Sequence, residues 1–121
     1  MVTYFLDTYA LIEIIKGNEL YLKYIDEEAV TSIFNLYELY YTSLKDNGSE
    51  IAKNNFFQFK GNLIRFGDDE IFLASKFKLE NKKQGISYTD ALGYTIAINN
   101  DMLFVTGDKE FRNMPKVEFV K

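Results

Sequence analysis

Val2-Thr3-Tyr4-Phe5-Leu6-Asp7-Thr8-Tyr9-Ala10-Leu11-Ile12, residues 2–12, decides the fold. It opens with an apolar run that breaks off at an acid, and a second apolar run follows at helical spacing. A strand apolar at almost every position is buried on both faces, which is the pattern of a central strand in a parallel sheet. The same design returns late in the chain as Leu103-Phe104-Val105-Thr106-Gly107-Asp108. In an open α/β sheet the crevice beyond the carboxyl ends of the strands is where ligands bind, so acids at two strand ends can converge there.

Between these two runs, strand and helix patterns alternate without repeat, low-complexity tract or linker. The expected order is strand 2–6, helix 8–16 stopped by Gly17, short helix 20–25 and weak strand 29–31. Ser32 then caps a helix over 33–45 that stops at Asn47-Gly48, and a helical segment covers 49–60. Residues 62–66 are a candidate strand. Asp68 is a candidate N-cap for a helix reaching about Lys83, and Ser87 caps another over 88–99. Strands at 103–106 and 117–120, separated by Pro115, complete the reading. Such alternation predicts one domain over residues 1–121, an α/β/α sandwich around a mostly parallel sheet of four or five strands.

Four acids stand where apolar runs stop or at the margin of an apolar helix face: Asp7, Glu38, Asp90 and Asp108. Each also has an ordinary structural role available. Asp7 can cap the helix starting at Thr8, and Asp108 can cap the turn containing Glu110 and Phe111. Asp90 can complement the dipole of a helix whose small residues Ala91, Gly93 and Ala97 allow close approach to the sheet. On a helical wheel Ile33, Tyr37, Tyr40 and Leu44 centre the apolar face of the third helix, which puts Glu38 at its edge. Their joint register with the strand-helix units is the signal. Carboxylates that converge need cations between them, and an all-oxygen donor set suits Mg²⁺ or Mn²⁺.

Composition narrows the chemistry. The 121 residues contain no Cys and no His, so disulfides, thiolate nucleophiles, Ser-His-Asp catalysis and nearly all zinc sites are excluded. Carboxylates, Lys, Tyr and bound metal remain for acid-base work. Hydrophobic residues make up 47%, which is sufficient for a core and argues against disorder. No apolar run has the length of a membrane span and the N-terminus shows no leader pattern, so a soluble cytoplasmic protein is expected. The net charge of −4 argues against binding phosphates, but two divalent cations on the four acids would cancel it. Lys76, Lys78, Lys82 and Lys83 read as the solvated face of a helix that could extend a phosphate track.

The motifs Phe5-Leu6-Asp7-Thr8, Leu36-Tyr37-Glu38-Leu39, Ser87-Tyr88-Thr89-Asp90-Ala91 and Val105-Thr106-Gly107-Asp108 resemble, in order and spacing, those of PIN-domain ribonucleases. Within that family the likeness is to the small VapC-type toxins of toxin-antitoxin pairs, and it covers nearly the whole chain. The stretch from Gly48 to Phe66 carries no signature. The resemblance implies metal-assisted hydrolysis of single-stranded or looped RNA to a 5′-phosphate product. It implies Asp7, Glu38 and Asp90 as ligands of a first Mg²⁺ or Mn²⁺, with Asp108, Asp7 and the Thr106 hydroxyl at that ion or a second one. It also implies a small antitoxin partner and a homodimer. Leu11, Ile12, Ile14, Ile15, Leu20, Leu22 and Ile25 form a candidate groove for an antitoxin helix or a dimer contact, with core as the alternative. A dehalogenase-like phosphatase would need an acid where Tyr9 stands. A non-catalytic PIN-like scaffold binding RNA or protein remains the second reading.

Overall fold

The computed structural model describes residues 2–26 and 28–121. Four short strands, β1 (Tyr4–Leu6), β2 (Ala29–Val30), β3 (Leu103–Thr106) and β4 (Val117–Phe119), form one parallel sheet in the order β2-β1-β3-β4. Six α-helices connect them: α1 (Thr8–Ile15), α2 (Lys23–Asp26), α3 (Ile33–Asn47), α4 (Ser49–Phe59), α5 (Asp68–Glu80) and α6 (Tyr88–Asn99). The expected three-layer α/β/α sandwich is what forms, with four strands.

Strand alternation divides the core in two. Leu6 and Val105 point to one face, where they pack with Leu11 and Ile14 of α1, Tyr24 of α2, Leu36 and Leu39 of α3 and Phe59 of α4. Phe5 and Phe104 point to the other, onto Ala74 of α5 and Leu92, Tyr94, Ile96 and Ala97 of α6. Successive residues of a strand face opposite ways, so one apolar run serves both layers.

The small residues of α6 do set a close approach. A Cβ on Gly93 would lie 2.8 Å from Cε1 of Phe5 and 3.3 Å from Phe104. Both rings are fully buried and stacked on each other, 5.9 Å between centroids, so neither can swing aside. Gly93→Ala is therefore expected to lower stability by roughly 1–3 kcal/mol through overpacking, against a helix-propensity gain of up to about 1. Thermal melts read this directly, and an unchanged or raised Tm would show that α6 can retreat at no cost.

Several sequence expectations are corrected. Residues 62–66 are no strand: only Leu63 pairs, in a single bridge to Thr31, after a 3₁₀ turn at Lys60–Asn62. The N-cap of α5 is Gly67, whose N–H donates to the Glu70 side chain at 2.8 Å, and Asp68 lies inside the first turn. The helix ends at Glu80, and Lys82–Gln84 is a separate 3₁₀ turn. Residues 20–25 divide between a 3₁₀ turn at Glu19–Tyr21 and α2. The largest correction concerns α3. Its buried stripe is Asn35, Leu36, Leu39 and Ser43, while Tyr37 is 71% exposed and Ile33 and Leu44 are also exposed.

Candidate metal centre at the β1/β3 crevice

After β1 the chain crosses to β2 on one side, and β3 enters on the other, so the sheet order reverses between β1 and β3. That switch point is where an open α/β sheet leaves a crevice. Asp7 follows β1 and Asp108 lies two residues beyond β3, with the two strands in register through Leu6 and Val105. Asp90 is in the first turn of α6, on one side of the sheet, and Glu38 is in the middle of α3, on the other.

Asp7 is 1% exposed. One of its oxygens accepts from the Ala10 N–H at 2.8 Å and so caps α1. The Thr106 hydroxyl lies close enough to the same carboxyl to favour its ionised form, and it accepts from the Asp108 N–H at 3.0 Å. Asp108 in turn caps the 3₁₀ turn Lys109–Phe111 through the Glu110 N–H at 3.1 Å. The structural roles expected for Asp7 and Asp108 are thus real, and each consumes part of a carboxylate that offers about four lone-pair sites. Capping leaves the remaining lone pairs of both carboxyls open to another partner.

Electrostatics separate these acids from ordinary caps. Burial raises the Asp7 pKa to about 8, with smaller contributions from the Asp90 and Asp108 charges, despite the hydrogen bonds that favour ionisation. Burial also raises Asp90 to about 6, aided by Asp108 and Glu38. Asp108 is raised by burial, against the pull of Lys121 and Lys109. Among the described residues the ion pairs are Lys16 with Glu13, Lys23 with Glu118 and Lys116 with Asp101, and none involves the four acids. Carboxyl groups thus gather where ionising all of them at once is costly, with Lys109 and Lys121 acting on Asp108 only from outside ion-pair distance.

Proximity has a limit. Among the described residues no three acids lie near enough together to grip one ion as they stand. The donor chemistry nevertheless fits a hard divalent cation, because Mg²⁺ keeps several waters and takes only one or two carboxylates directly. Two of the four acids in contact, with the others reached through water, meet that requirement.

Glu38 is held by a chain the sequence did not disclose. Thr8 donates its hydroxyl to Glu38 at 2.6 Å and accepts from the Asn35 amide at 3.1 Å, while Asn35 takes the Ser32 hydroxyl at 2.5 Å. Asn35 is fully buried. A polar residue within the Leu36/Leu39 stripe was the available signal, and the wheel missed it by centring the wrong face. Gly107 is required by the same assembly: a Cβ there would lie 2.2 Å from the Tyr9 ring and 2.7 Å from the Val120 carbonyl oxygen.

A family model described as PIN domain matches residues 4–117. The chain belongs to the PIN domain family. Solved structures with the same fold include a VapBC2 complex from Rickettsia felis bound to a promoter DNA fragment, at 24% identity and a TM-score of 0.76, covering 98% of each chain. A DNA-bound VapBC from Salmonella typhimurium matches at 19% identity and a TM-score of 0.76, covering 99% of this chain and 98% of that one. A toxin-antitoxin complex from Klebsiella pneumoniae matches at 18% identity and a TM-score of 0.74, covering 95% of each. No curated protein matches this PIN-domain chain in sequence. Among its described residues no helix is long and apolar enough to cross a membrane.

Proposed function

We propose that this PIN-domain protein is a metal-dependent endoribonuclease and the toxin of a toxin-antitoxin pair. One observation supports the reading: Asp7, Asp90, Asp108 and Glu38, carried by the sheet and by both helix layers, act electrostatically on one another, and among the described residues none of them forms an ion pair, Lys109 and Lys121 acting on Asp108 only at longer range. A bound Mg²⁺ or Mn²⁺ supplies positive charge against the phosphodiester and lowers the pKa of attacking water.

Asp7, Glu38 and Asp90 would hold that ion beside the attacking water, and Asp108, aided by Asp7 and the Thr106 hydroxyl, would help hold it or a second one near the leaving oxygen. The water oxygen bonds to phosphorus as its proton passes to solvent, the bond to the 3′ oxygen breaks, and that oxygen takes a proton from solvent, which leaves a 5′-phosphate and a 3′-hydroxyl. Labelled single-stranded RNA incubated with millimolar Mg²⁺ or Mn²⁺ is expected to be cut, and EDTA is expected to stop cutting. Cleavage that persists in EDTA removes the metal from the mechanism.

Thr8 is a positioning residue, acting through Glu38. Thr8→Val keeps shape and removes the hydroxyl, and partners of this kind cost 10–100-fold in activity or metal affinity when lost. Roughly tenfold slower cleavage is expected in a chain that still folds, with a Tm lowered by a few degrees because the buried Asn35 amide loses its acceptor. Full activity in the variant would show that Glu38 needs no support.

The second reading, a non-catalytic scaffold, is favoured by the absence of a three-acid grip among the described residues. For the partner, the residues singled out in α1 and α2 divide. Leu11 and Ile14 are core, Ile12 and Ile15 pack partly against it, and Leu20, Leu22 and Ile25 remain exposed. These last three are the part of the groove open to an antitoxin helix. Co-purification of a small protein encoded directly upstream supports the antitoxin, and sedimentation reports the homodimer.

A further inference from the structure

We infer that a cavity of about 170 Å³ between α3, α5 and α6 receives an unpaired base of the RNA strand whose phosphate lies at the acids. This rests on the nuclease reading above and names a substrate contact for it. The walls include Phe34 of α3, Ile71 and Lys78 of α5, and Tyr88, Thr89 and Leu92 of α6. Phe34 precedes Glu38 by one helical turn, and Tyr88 and Thr89 immediately precede Asp90. The two helices that bring acids to the crevice therefore bring aromatic rings to the cavity beside it.

The chemistry of the walls selects the occupant. Tyr88 is 82% exposed, a large ring left uncovered beside an apolar hollow. It is held in place by Lys78, whose ammonium lies 4.7 Å from the ring centroid and donates to the Ile86 carbonyl at 2.7 Å. Lys78, read from sequence as part of a solvated face, is thereby fixed at the cavity wall with two donors free for a phosphate oxygen. Phe34 is braced from behind by Phe66, 5.9 Å between centroids. Rings on two walls, a fixed cation and the Thr89 hydroxyl suit one flat heteroaromatic ring on a charged backbone, which is how unpaired RNA is held. The space is too small for a helix.

The test uses the full chain carrying Asp7→Asn, so that RNA is bound and not cut, with Kd measured for a short oligo(A) and for an abasic ribose-phosphate oligomer of the same length. Tyr88→Ala removes a stacking surface, and Ser75→Phe fills the hollow from an exposed position of α5. Both are expected to weaken oligo(A) binding about tenfold and to leave the abasic oligomer unchanged, since stacking acts on the base alone. Equal binding of oligo(A) by all three proteins overturns the cavity assignment and leaves the nuclease reading standing. Failure of every protein to bind either oligomer overturns both. A Tyr88→Ala variant that loses self-association in sedimentation while keeping its preference for oligo(A) assigns the cavity to a second copy of the chain.

Discussion

Asp7→Asn and Asp90→Asn are each expected to lower RNA cleavage by about a thousandfold while the protein stays folded. Either change replaces an ionisable carboxyl, the group able to become a charged ligand, by a neutral amide of nearly equal volume beside the crevice between β1 and β3. Groups that stabilise developing charge in such sites are worth about 10²–10³ in rate, roughly 3–4 kcal/mol. Folding should survive. Asn caps a helix about as well as Asp, so the Ala10 N–H keeps a partner, and Asp90 takes no part in an ion pair among the described residues. Single-turnover cleavage with Mg²⁺, set beside circular dichroism of the same samples, measures both halves. Variants that cut at the wild-type rate remove these two acids from the chemistry.

The metal-free protein is expected to lose stability as pH rises from about 4 to about 8, by a few kcal/mol, and Asp7→Asn to abolish most of that slope. The sign follows from proton binding. The Asp7 pKa is about 8 in the folded chain and near 3.9 in an unfolded one. Between these values the unfolded chain has released a proton that the folded chain keeps, so raising the pH favours unfolding. Below about pH 4 both states are protonated and the difference vanishes. Asp90, raised to about 6, adds a smaller contribution over the lower part of that window. In EDTA at pH 8 to 9, Asp7→Asn should melt above the wild type, and millimolar Mg²⁺ should raise the wild type while leaving the variant nearly unmoved. A variant less stable than wild type in EDTA at that pH would mean that the Asp7 charge is already compensated.

The fold was legible because its central strands state their own environment. Phe5-Leu6 and Phe104-Val105 are apolar on both faces, and only a parallel sheet between two helix layers satisfies that. The strand-end acids were legible for the same reason, since a buried run that stops at Asp marks its own carboxyl end. The α3 surface was not legible. A wheel assumes that apolar residues face inward, yet here Asn35 and Ser43 are buried through hydrogen bonds to Ser32, Thr8 and Asn55, whose positions only the tertiary structure defines. That inversion leaves Ile33, Tyr37 and Leu44 on the surface. The stretch 62–66 misled for a different reason: Leu63 meets the sheet at a single bridge, and Asn62 reaches it with a side chain, to the Ala29 carbonyl at 3.2 Å. The hold of Thr8 on Glu38 spans 30 residues, which no local pattern reports.

Glu38 belongs to the helix layer on one side of the sheet and Asp90 to the layer on the other, with Asp7 and Asp108 on the strands between them. On the proposed function, no partly folded chain with one layer undocked can cut RNA. During synthesis Asp7 and Glu38 leave the ribosome first, and Asp90 and Asp108 follow only after some 50 residues that include α4 and α5. On that same proposal the nascent chain cannot cut the message that encodes it until almost the whole sandwich has closed, and any partner that restrains the activity would be needed only from release of the chain, not from its first turns of helix.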